Sequence, residues 1–579
     1  MSKIIATSAI RGAHAIYGMA EEKFQEARAA KGGAQKISFP ETAFYLPAAY
    51  ALLGLEVRTL DDAERVLKEA KALLPEIPSP ELWLPYLGDA LDAGTATLLS
   101  EEVLMALRYL SGEEPQPGCN GFFTDTILRT LGIMLVDGRM PGFAAILGAA
   151  PNPETAVKIV RELQKKNILI FAGSQTGGVS VIDQLKEGGV EMGWDTYIVP
   201  FGRDTVSAIY PLNWALRAAL TFGGLKKGQV KECLLYCKER VNAFVIALGE
   251  VDDYKFATAA GAITMGFPVI ADTAIPEILE SGLTVHEAVI VERDYDKIVP
   301  RAIIVRGIKI KVKEIPLPVP YAAAFEGERV RKEDLQVQSG SKYSKAFEYL
   351  LQGDLEKLSD GRITLHGPDI DTVAEGGSLP LGIVVRVAGR KMEKDFESIL
   401  ERQIHSFING AMGVMHIGQR EMVWLRISKK AFASGFRLRH LGEIVVARLH
   451  NDFGAIVDKA EVAIFTLTQD VEREMETAKV SYAARDARVA GMTDESVATF
   501  YSCTLCQSFA PSHVCIISPE RLGLCGAYNW LDGKAAHEIN PRGPNQPVAK
   551  GKTIDLGIGQ WESINAFVDE ASHRALKRF

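Results

Sequence analysis

Two hydrophobic rhythms divide the chain. In "DDAERVLKEAKALL", Ala63, Val66, Leu67, Ala70 and Leu74 recur at helical spacing near one face, with Asp61 or Asp62 placed to cap the start. Such segments dominate as far as Ala150, which predicts a helical N-terminal region. From Pro151 the pattern changes. "PETAVKIVRELQKKN" is a helix with Pro153 in its first turn, followed by the apolar strand "ILIFAG". The later runs "TYIVPFG", "FVIALGE", "PVIADT" and "EAVIVER" are short, β-branched and continuously apolar, and helical segments such as "KGQVKECLLYCKERVN" separate them. Strands apolar on both faces and spaced by helices predict a parallel, Rossmann-like α/β sheet.

Alternation in "IKIKVK" predicts an edge strand, and Pro316, Pro318 and Pro320 a stiff extended linker, so a first domain is expected over residues 1–313. A second α/β domain, 314–478, follows. It holds strand "GIVVRVAG", a single helix "MEKDFESILERQIHSFINGA", strand "MVWLRIS", helix "LGEIVVARLHNDFGAIV" and strand "KAEVAIFTLT". The charged helix "DVEREMETAKVSYAARDARVAGM" leads into a third unit, 479–579.

Composition narrows the function. At 579 residues the chain exceeds one hydrophobic core, and its 47% apolar and 24% charged residues are ordinary for a globular protein. A net charge of -8 argues against a nucleic-acid coat, and no apolar run is long enough to span a membrane. Arg11 and His14 interrupt the apolar start and acids follow at once, which argues against an export signal. Seven cysteines do not make a disulfide framework, so a cytoplasmic chain with reduced thiols is expected.

Four of those seven lie in "YSCTLCQSFAPSHVCIISPERLGLCGAYNW". Cys503, Cys506, Cys515 and Cys525 have the spacing C-x2-C-x8-C-x9-C. Thiolates are soft ligands that select zinc or iron–sulfur clusters, and four complete either site. With one close pair and two single cysteines, spacing leaves open an iron–sulfur cluster, zinc, or unliganded core cysteines; His513, inside the loop, reads as a surface or hydrogen-bonded residue. Cys233 and Cys237, four apart on one helix, read as buried structural cysteines, and Cys119 is isolated. "FAGSQTGGVSVIDQL" joins a strand to a helix but is not G-x-G-x-x-G, and it reads as a structural turn. In "QREMVWLRISKKAFASGFRLRH", Arg420, Arg426, Lys429, Lys430, Arg437 and Arg439 surround a single acid, Glu421, with Trp424, Phe432 and Phe436 between them. This pattern suits a phosphorylated nucleotide cofactor, single-stranded nucleic acid, or a solvated basic face.

The words "SCTLCQSFAPSHVC", "LCGAYNWLDGKAA", "INPRGPNQPV" and "MPGFAAILGAAP", and the domain order, identify a wider likeness. Over its whole length the chain resembles bacterial acetyl-CoA synthases, nickel subunits of the carbon monoxide dehydrogenase/acetyl-CoA synthase complex. Archaeal relatives lack the long N-terminal domain, so its presence points to the bacterial form. The resemblance implies that Cys503, Cys506, Cys515 and Cys525 ligate a 4Fe-4S cluster and that Cys506 also bridges to a proximal nickel. It implies a reaction joining carbon monoxide, a methyl group from a corrinoid iron–sulfur protein, and coenzyme A. By the same likeness Phe509 forms an aromatic wall over the nickel, and Ile146 lines an apolar gas channel. Trp424 and Arg426 approach the cluster, while Arg420, Arg426, Arg437 and Arg439 become candidates for coenzyme A, leaving nucleic acid aside. The N-terminal domain would dock carbon monoxide dehydrogenase.

One departure accompanies the likeness. The family uses a downstream C-G-C tripeptide for a distal nickel, and no cysteine follows Cys525. The expectation is therefore a truncated chain that holds the iron–sulfur cluster and lacks synthase activity alone. Its alternatives are a nickel-free partner of the dehydrogenase and a zinc-stapled nucleotide-binding scaffold.

Overall fold

The computed structural model describes residues 3–39, 46–77, 87–113, 131–132, 134, 140–173, 178–194, 196–201, 216–217, 220, 225–250, 252–273, 289–310, 314–321, 330–508, 510 and 512–578. Two compact units divide between Ile310 and Lys311, close to the boundary expected after residue 313.

The first unit opens with helices α1 (Lys3–Lys31), α2 (Leu60–Leu73) and α3 (Leu87–Leu110). Thr59, not Asp61 or Asp62, caps α2: its hydroxyl accepts the Asp62 N–H while the Asp62 carboxylate accepts the Thr59 N–H, a reciprocal box. Of the apolar stripe read from the sequence, Ala63, Val66, Leu67 and Ala70 are buried, with Leu60 beside them, whereas Leu74 is the half-buried C-cap. Glu102 of α3 is wholly buried and accepts the backbone N–H groups of Ala48 and Ala49, each at 2.8 Å.

Strands β1 (Phe143–Gly148), β2 (Leu169–Gly173), β3 (Ile198–Phe201), β4 (Ala243–Leu248), β5 (Val269–Ala271) and β6 (Val289–Val291) form one sheet in the order β3-β2-β1-β4-β5-β6. Every neighbouring pair is parallel. This is the doubly wound order, with its reversal between β1 and β4. Helices α4 (Pro153–Lys165), α5 (Val181–Glu187), α6 (Val230–Arg240), α7 (Asp253–Thr264) and α8 (Tyr295–Arg306) alternate with the strands. Helices α1 and α7 approach so closely at Gly12 that a Cβ there would lie 2.0 Å from the Asp253 carbonyl oxygen. The turn after β1 differs from a phosphate cradle. The Ala150 N–H donates to Gln184 Oε1 at 2.9 Å, its carbonyl accepts from Gln184 Nε2 at 2.7 Å, and Pro151 and Pro153 offer no N–H. The turn read in "FAGSQTGGV" includes residues 174–177, which lie outside the described residues.

The second unit holds two four-stranded sheets. One is β10 (Gly377–Ser378), β7 (Leu335–Gly340), β13 (Met422–Ser428) and β12 (Val414–Gln419); the other is β8 (Ala346–Gln352), β11 (Leu381–Ala388), β14 (Lys459–Phe465) and β9 (Ile363–His366). Both mix parallel and antiparallel pairs. The helix expected over "MEKDFESILERQIHSFINGA" is broken into a 3-10 turn, Lys394–Phe396, and two short helices, α9 (Glu397–Glu401) and α10 (Ile404–Ile408). Tight turns such as Gln403 N–H to the Leu400 carbonyl make the breaks. Residues 308–310 of "IKIKVK" form no strand, and 311–313 lie outside the described residues. Ile315, just before the prolines, and Val319, between two of them, are buried in the second unit's core, so the stretch expected as a stiff linker is packed.

Helices α11 (Lys429–Ala433), α12 (Leu438–Phe453) and α13 (Thr468–Ala490) complete the layer. The boundary expected at 478/479 falls inside α13, which is continuous across it. Arg485 fastens this helix. Its guanidinium pairs with Glu401 at 2.9 Å and Glu397 at 3.4 Å and donates to the Leu350 carbonyl at 2.7 Å. Glu401 in turn accepts the Leu350 N–H at 2.9 Å.

Candidate metal centre

After α13 the chain forms a three-stranded antiparallel sheet, β16 (Cys515–Ile517), β15 (Thr499–Cys503) and β17 (Pro547–Ala549). A ribbon, β18 (Thr553–Asp555) and β19 (Gln560–Trp561), and helices α14 (Trp530–Ile539) and α15 (Glu562–Ala571) accompany it. Phe500, Val514, Ile516, Val548, Trp561, Ile564 and Val568 form its core. Each cysteine sits on a different small element. Cys503 ends β15, Cys515 begins β16, and the register sets them opposite each other. Cys506 lies on the 3-10 turn Leu505–Ser508. Cys525 lies in a tight turn closed by the Gly523 N–H to the Tyr528 carbonyl, with Gly526 at a φ of 70° that favours glycine. The segment "NPRGPNQPV" braces β15: Asn545 Nδ2 donates to the Ser502 carbonyl and the Gln546 N–H to Ser502 Oγ.

All four are free thiols. Burial pushes the Cys503 thiol up to about 11 and Cys506 to about 12, and the neighbouring cysteines add to both; Cys515 is raised as well, first by burial. A metal must therefore displace protons to bind here. Hydrogen-bond donors reach three of the sulfurs. Cys503 receives the Leu505 N–H and the Asn545 side chain. Cys515 receives the Leu524 N–H, and its Sγ lies 3.4 Å from His513 Nε2. Cys525 accepts the Ala527 N–H at 3.4 Å. Among the described residues no donor reaches Cys506, which feels only burial and the charges of the other three cysteines.

No three His, Cys, Asp or Glu side chains among the described residues converge closely enough to hold one ion. Four thiols that feel one another's charge can each meet one iron of a cluster. The donor set and its N–H groups fit an iron–sulfur cluster.

Ile146 is fully buried at mid-strand in β1, paired with Ala172 and Ile246. Half-buried Trp424 and buried Arg426 stack on β13, guanidinium 4.2 Å from the ring centroid, and Arg426 donates to the Val330 carbonyl. Arg420 pairs with Asp486 at 2.7 Å and lies over Tyr482. Arg437 caps the Phe432 and Phe436 carbonyls, Arg439 pairs with Glu443 on an exposed face, and Lys429 pairs with Glu375. The basic stretch is thus less unopposed than its sequence reads, because Asp486 and Glu375 come from distant segments. Phe509 and Cys119 lie outside the described residues. Cys233 and Cys237 are fully buried in α6, as expected of structural cysteines. His513 bears out its reading as a hydrogen-bonded residue. Asn545 escaped the sequence reading as a functional residue, although the quoted "INPRGPNQPV" contains it. No helix among the described residues is long and apolar enough to cross a membrane.

Comparison with known proteins covers nearly the whole chain. Residues 317–471 match the family model "CO dehydrogenase/acetyl-CoA synthase complex beta subunit", and residues 482–579 match the family model for the carboxy-terminal region of the ACS/CODH beta subunit. Residues 21–110 match "Carbon monoxide dehydrogenase subunit alpha N-terminal domain". The carbon monoxide dehydrogenase/acetyl-CoA synthase subunit alpha of Moorella thermoacetica is 43% identical over 98% of this chain and 76% of its own length. The acetyl-CoA decarbonylase/synthase complex subunit beta 1 of Methanocaldococcus jannaschii is 38% identical over 94% of this chain and 69% of its own. The corresponding subunit beta of Methanopyrus kandleri aligns at 41% identity over only 45% of this chain and 56% of its own length. The Methanocaldococcus match corrects one expectation: a long N-terminal region is not confined to bacterial relatives.

Proposed function

The chain belongs to the carbon monoxide dehydrogenase/acetyl-CoA synthase family, and we propose that Cys503, Cys506, Cys515 and Cys525 hold the metal centre of its acetyl-CoA synthase activity. The observation that carries this reading is the asymmetry of the sulfurs. Donors from the protein hold Cys503, Cys515 and Cys525, whereas none among the described residues reaches Cys506. A thiolate with uncommitted lone pairs is the one able to take a second metal. Cys506 is therefore assigned as a ligand to both a 4Fe-4S cluster and a proximal nickel, and the other three to the cluster alone. When bound, these metals supply a soft, electron-rich centre for joining carbon monoxide to a methyl group.

The remaining residues orient and exclude. Phe509, three positions after Cys506, is proposed to wall the site, and Ile146 to line an apolar path for carbon monoxide. Trp424 and Arg426 form a preassembled cation–aromatic pair, and Arg437 and Arg439 flank the start of α12. With Arg420 they are the candidate contacts for the phosphates and adenine of coenzyme A, because guanidinium groups pair with phosphate bidentately. We assign residues 1–313 to docking the dehydrogenase subunit, 314–478 to coenzyme A and 479–579 to the metal centre. The methyl donor is taken as a corrinoid iron–sulfur protein, and the compartment as the cytoplasm.

The test is anaerobic reconstitution of the 579-residue chain with iron, sulfide and nickel, followed by metal analysis. Iron near four per chain with brown charge-transfer absorbance supports the reading. Zinc near one per chain, with no iron retained, overturns it in favour of a zinc-stapled scaffold. Iron without nickel is expected while the C-G-C tripeptide is missing; iron without nickel that persists once a C-G-C-bearing segment is joined to the chain favours a nickel-free partner of the dehydrogenase.

A further inference from the structure

His513 lies two residues before Cys515 and makes its contact with that cysteine, Nε2 to Sγ, at 3.4 Å. With a free thiol, either atom can carry the shared proton. Once Cys515 serves as a metal ligand its sulfur has lost its proton, so the contact persists only with Nε2–H donating. The sulfur already accepts one backbone N–H, from Leu524. His513 therefore adds a second donor to a single ligand of the centre, and does so from a side chain that can be exchanged without touching the backbone.

We infer that His513 is a positioning residue for the metal centre, which donates a hydrogen bond to the Cys515 thiolate and so raises the reduction potential of the bound cluster. This rests on the cluster assignment proposed above. The physical reason is electrostatic. Reduction adds one electron that the iron sites share with their thiolates, and a donor at sulfur stabilises that added charge more than it stabilises the oxidised form. Hydrogen bonds to charged groups are stronger than neutral ones, and only the difference between the two oxidation states is felt here. A change of about tenfold in the reduction equilibrium is expected, which for a one-electron couple is about 59 mV.

The experiment compares the wild-type chain with His513→Leu and His513→Gln, each reconstituted anaerobically. Iron is counted and the cluster is titrated with a mediator couple that delivers the electron. The expected result is equal iron in all three, a lower potential in His513→Leu, and a potential near wild type in His513→Gln, whose amide keeps an N–H. Equal potentials in His513→Leu and wild type, both with full iron, overturn the inference. A second measurement does not depend on any variant folding. In wild-type chain carrying 15N-histidine, pulsed paramagnetic resonance of the reduced cluster should resolve a weak histidine-nitrogen coupling, and its absence overturns the inference. Failure of the wild-type chain itself to take up iron overturns the cluster assignment, and this inference with it.

Discussion

Replacing Arg485 by methionine removes the cation that holds α13 against the middle of the second unit. Its partner Glu401 is only 3% exposed at the side chain, as is Arg485 itself. Truncating one member of such a buried pair costs about 3–5 kcal/mol, because the other charge stays behind in a poorly solvating interior. The Leu350 carbonyl also loses a donor at 2.7 Å. The penalty depends on pH. Burial, above all, holds the Glu401 carboxyl above its ordinary value, with the charge of Glu348 adding to it and Arg485 opposing it. A carboxyl raised in the folded state favours folding below its unfolded value and loses that contribution as pH climbs through its folded value. Removing Arg485 raises Glu401 further. The destabilisation should thus be largest at pH 8 and smaller at pH 5, where Glu401 can take up a proton. The Leu350 amide, which donates to Glu401 at 2.9 Å, is the local reporter. At pH 8 its hydrogen-exchange protection should fall by about a hundredfold or more, since 1.36 kcal/mol is one factor of ten. Adding Glu401→Gln should recover much of the loss, because the amide still accepts from Leu350 and carries no charge. A fall of less than tenfold, or one equal at both pH values, would refute this account of how the helix is held.

Three further outcomes are expected. In a chain to which a C-G-C-bearing segment has been joined, Cys506→Ala should retain less nickel per remaining iron than Cys515→Ala, because only Cys506 is assigned to both metals; equal ratios remove the bridging assignment. Arg437→Gln with Arg439→Gln should weaken coenzyme A binding at low salt, and the difference should shrink as salt rises; unchanged affinity returns the stretch to a solvated face. Burial lifts Glu102 from its ordinary value to about 8, so the folded state should lose a few kcal/mol as pH rises from the ordinary carboxylate range through 8. Glu102→Gln should flatten that dependence in denaturant titrations of the first unit, and a parallel slope would disprove the assignment.

The strands of the first unit were legible because burial on both faces writes itself as continuous apolar runs, as in "FVIAL" of β4, whose residues are all buried. Their order across the sheet was not, since pairing β1 with both β2 and β4 depends on contacts between distant segments. The break in "MEKDFESILERQIHSFINGA" was also hidden. Glu397 and Glu401 look like the solvated face of a helix, yet both turn inward to Arg485. The four thiols could be read as a set because they are near in sequence. What distinguishes them could not, because the donors to Cys503 and Cys515 include Asn545 and a loop amide at Leu524. The basic stretch misled for the same reason: the carboxylate that neutralises Arg420 belongs to Asp486 on α13.

The register of β15 and β16 has a consequence for how the chain is made. Cys503 and Cys515 stand directly opposite across an antiparallel pair, and such partners have Cα atoms about 4.5–5.5 Å apart, inside the span a disulfide tolerates. The geometry that presents two sulfurs to a cluster therefore also presents them to each other. Their raised thiol values slow that encounter at neutral pH without abolishing it. A metal-free chain in air should close the pair, visible as a loss of two mass units without reductant, and then refuse iron. Biosynthesis becomes a matter of sequence in time: metal has to arrive before oxygen does, and the strand pairing itself sets the deadline.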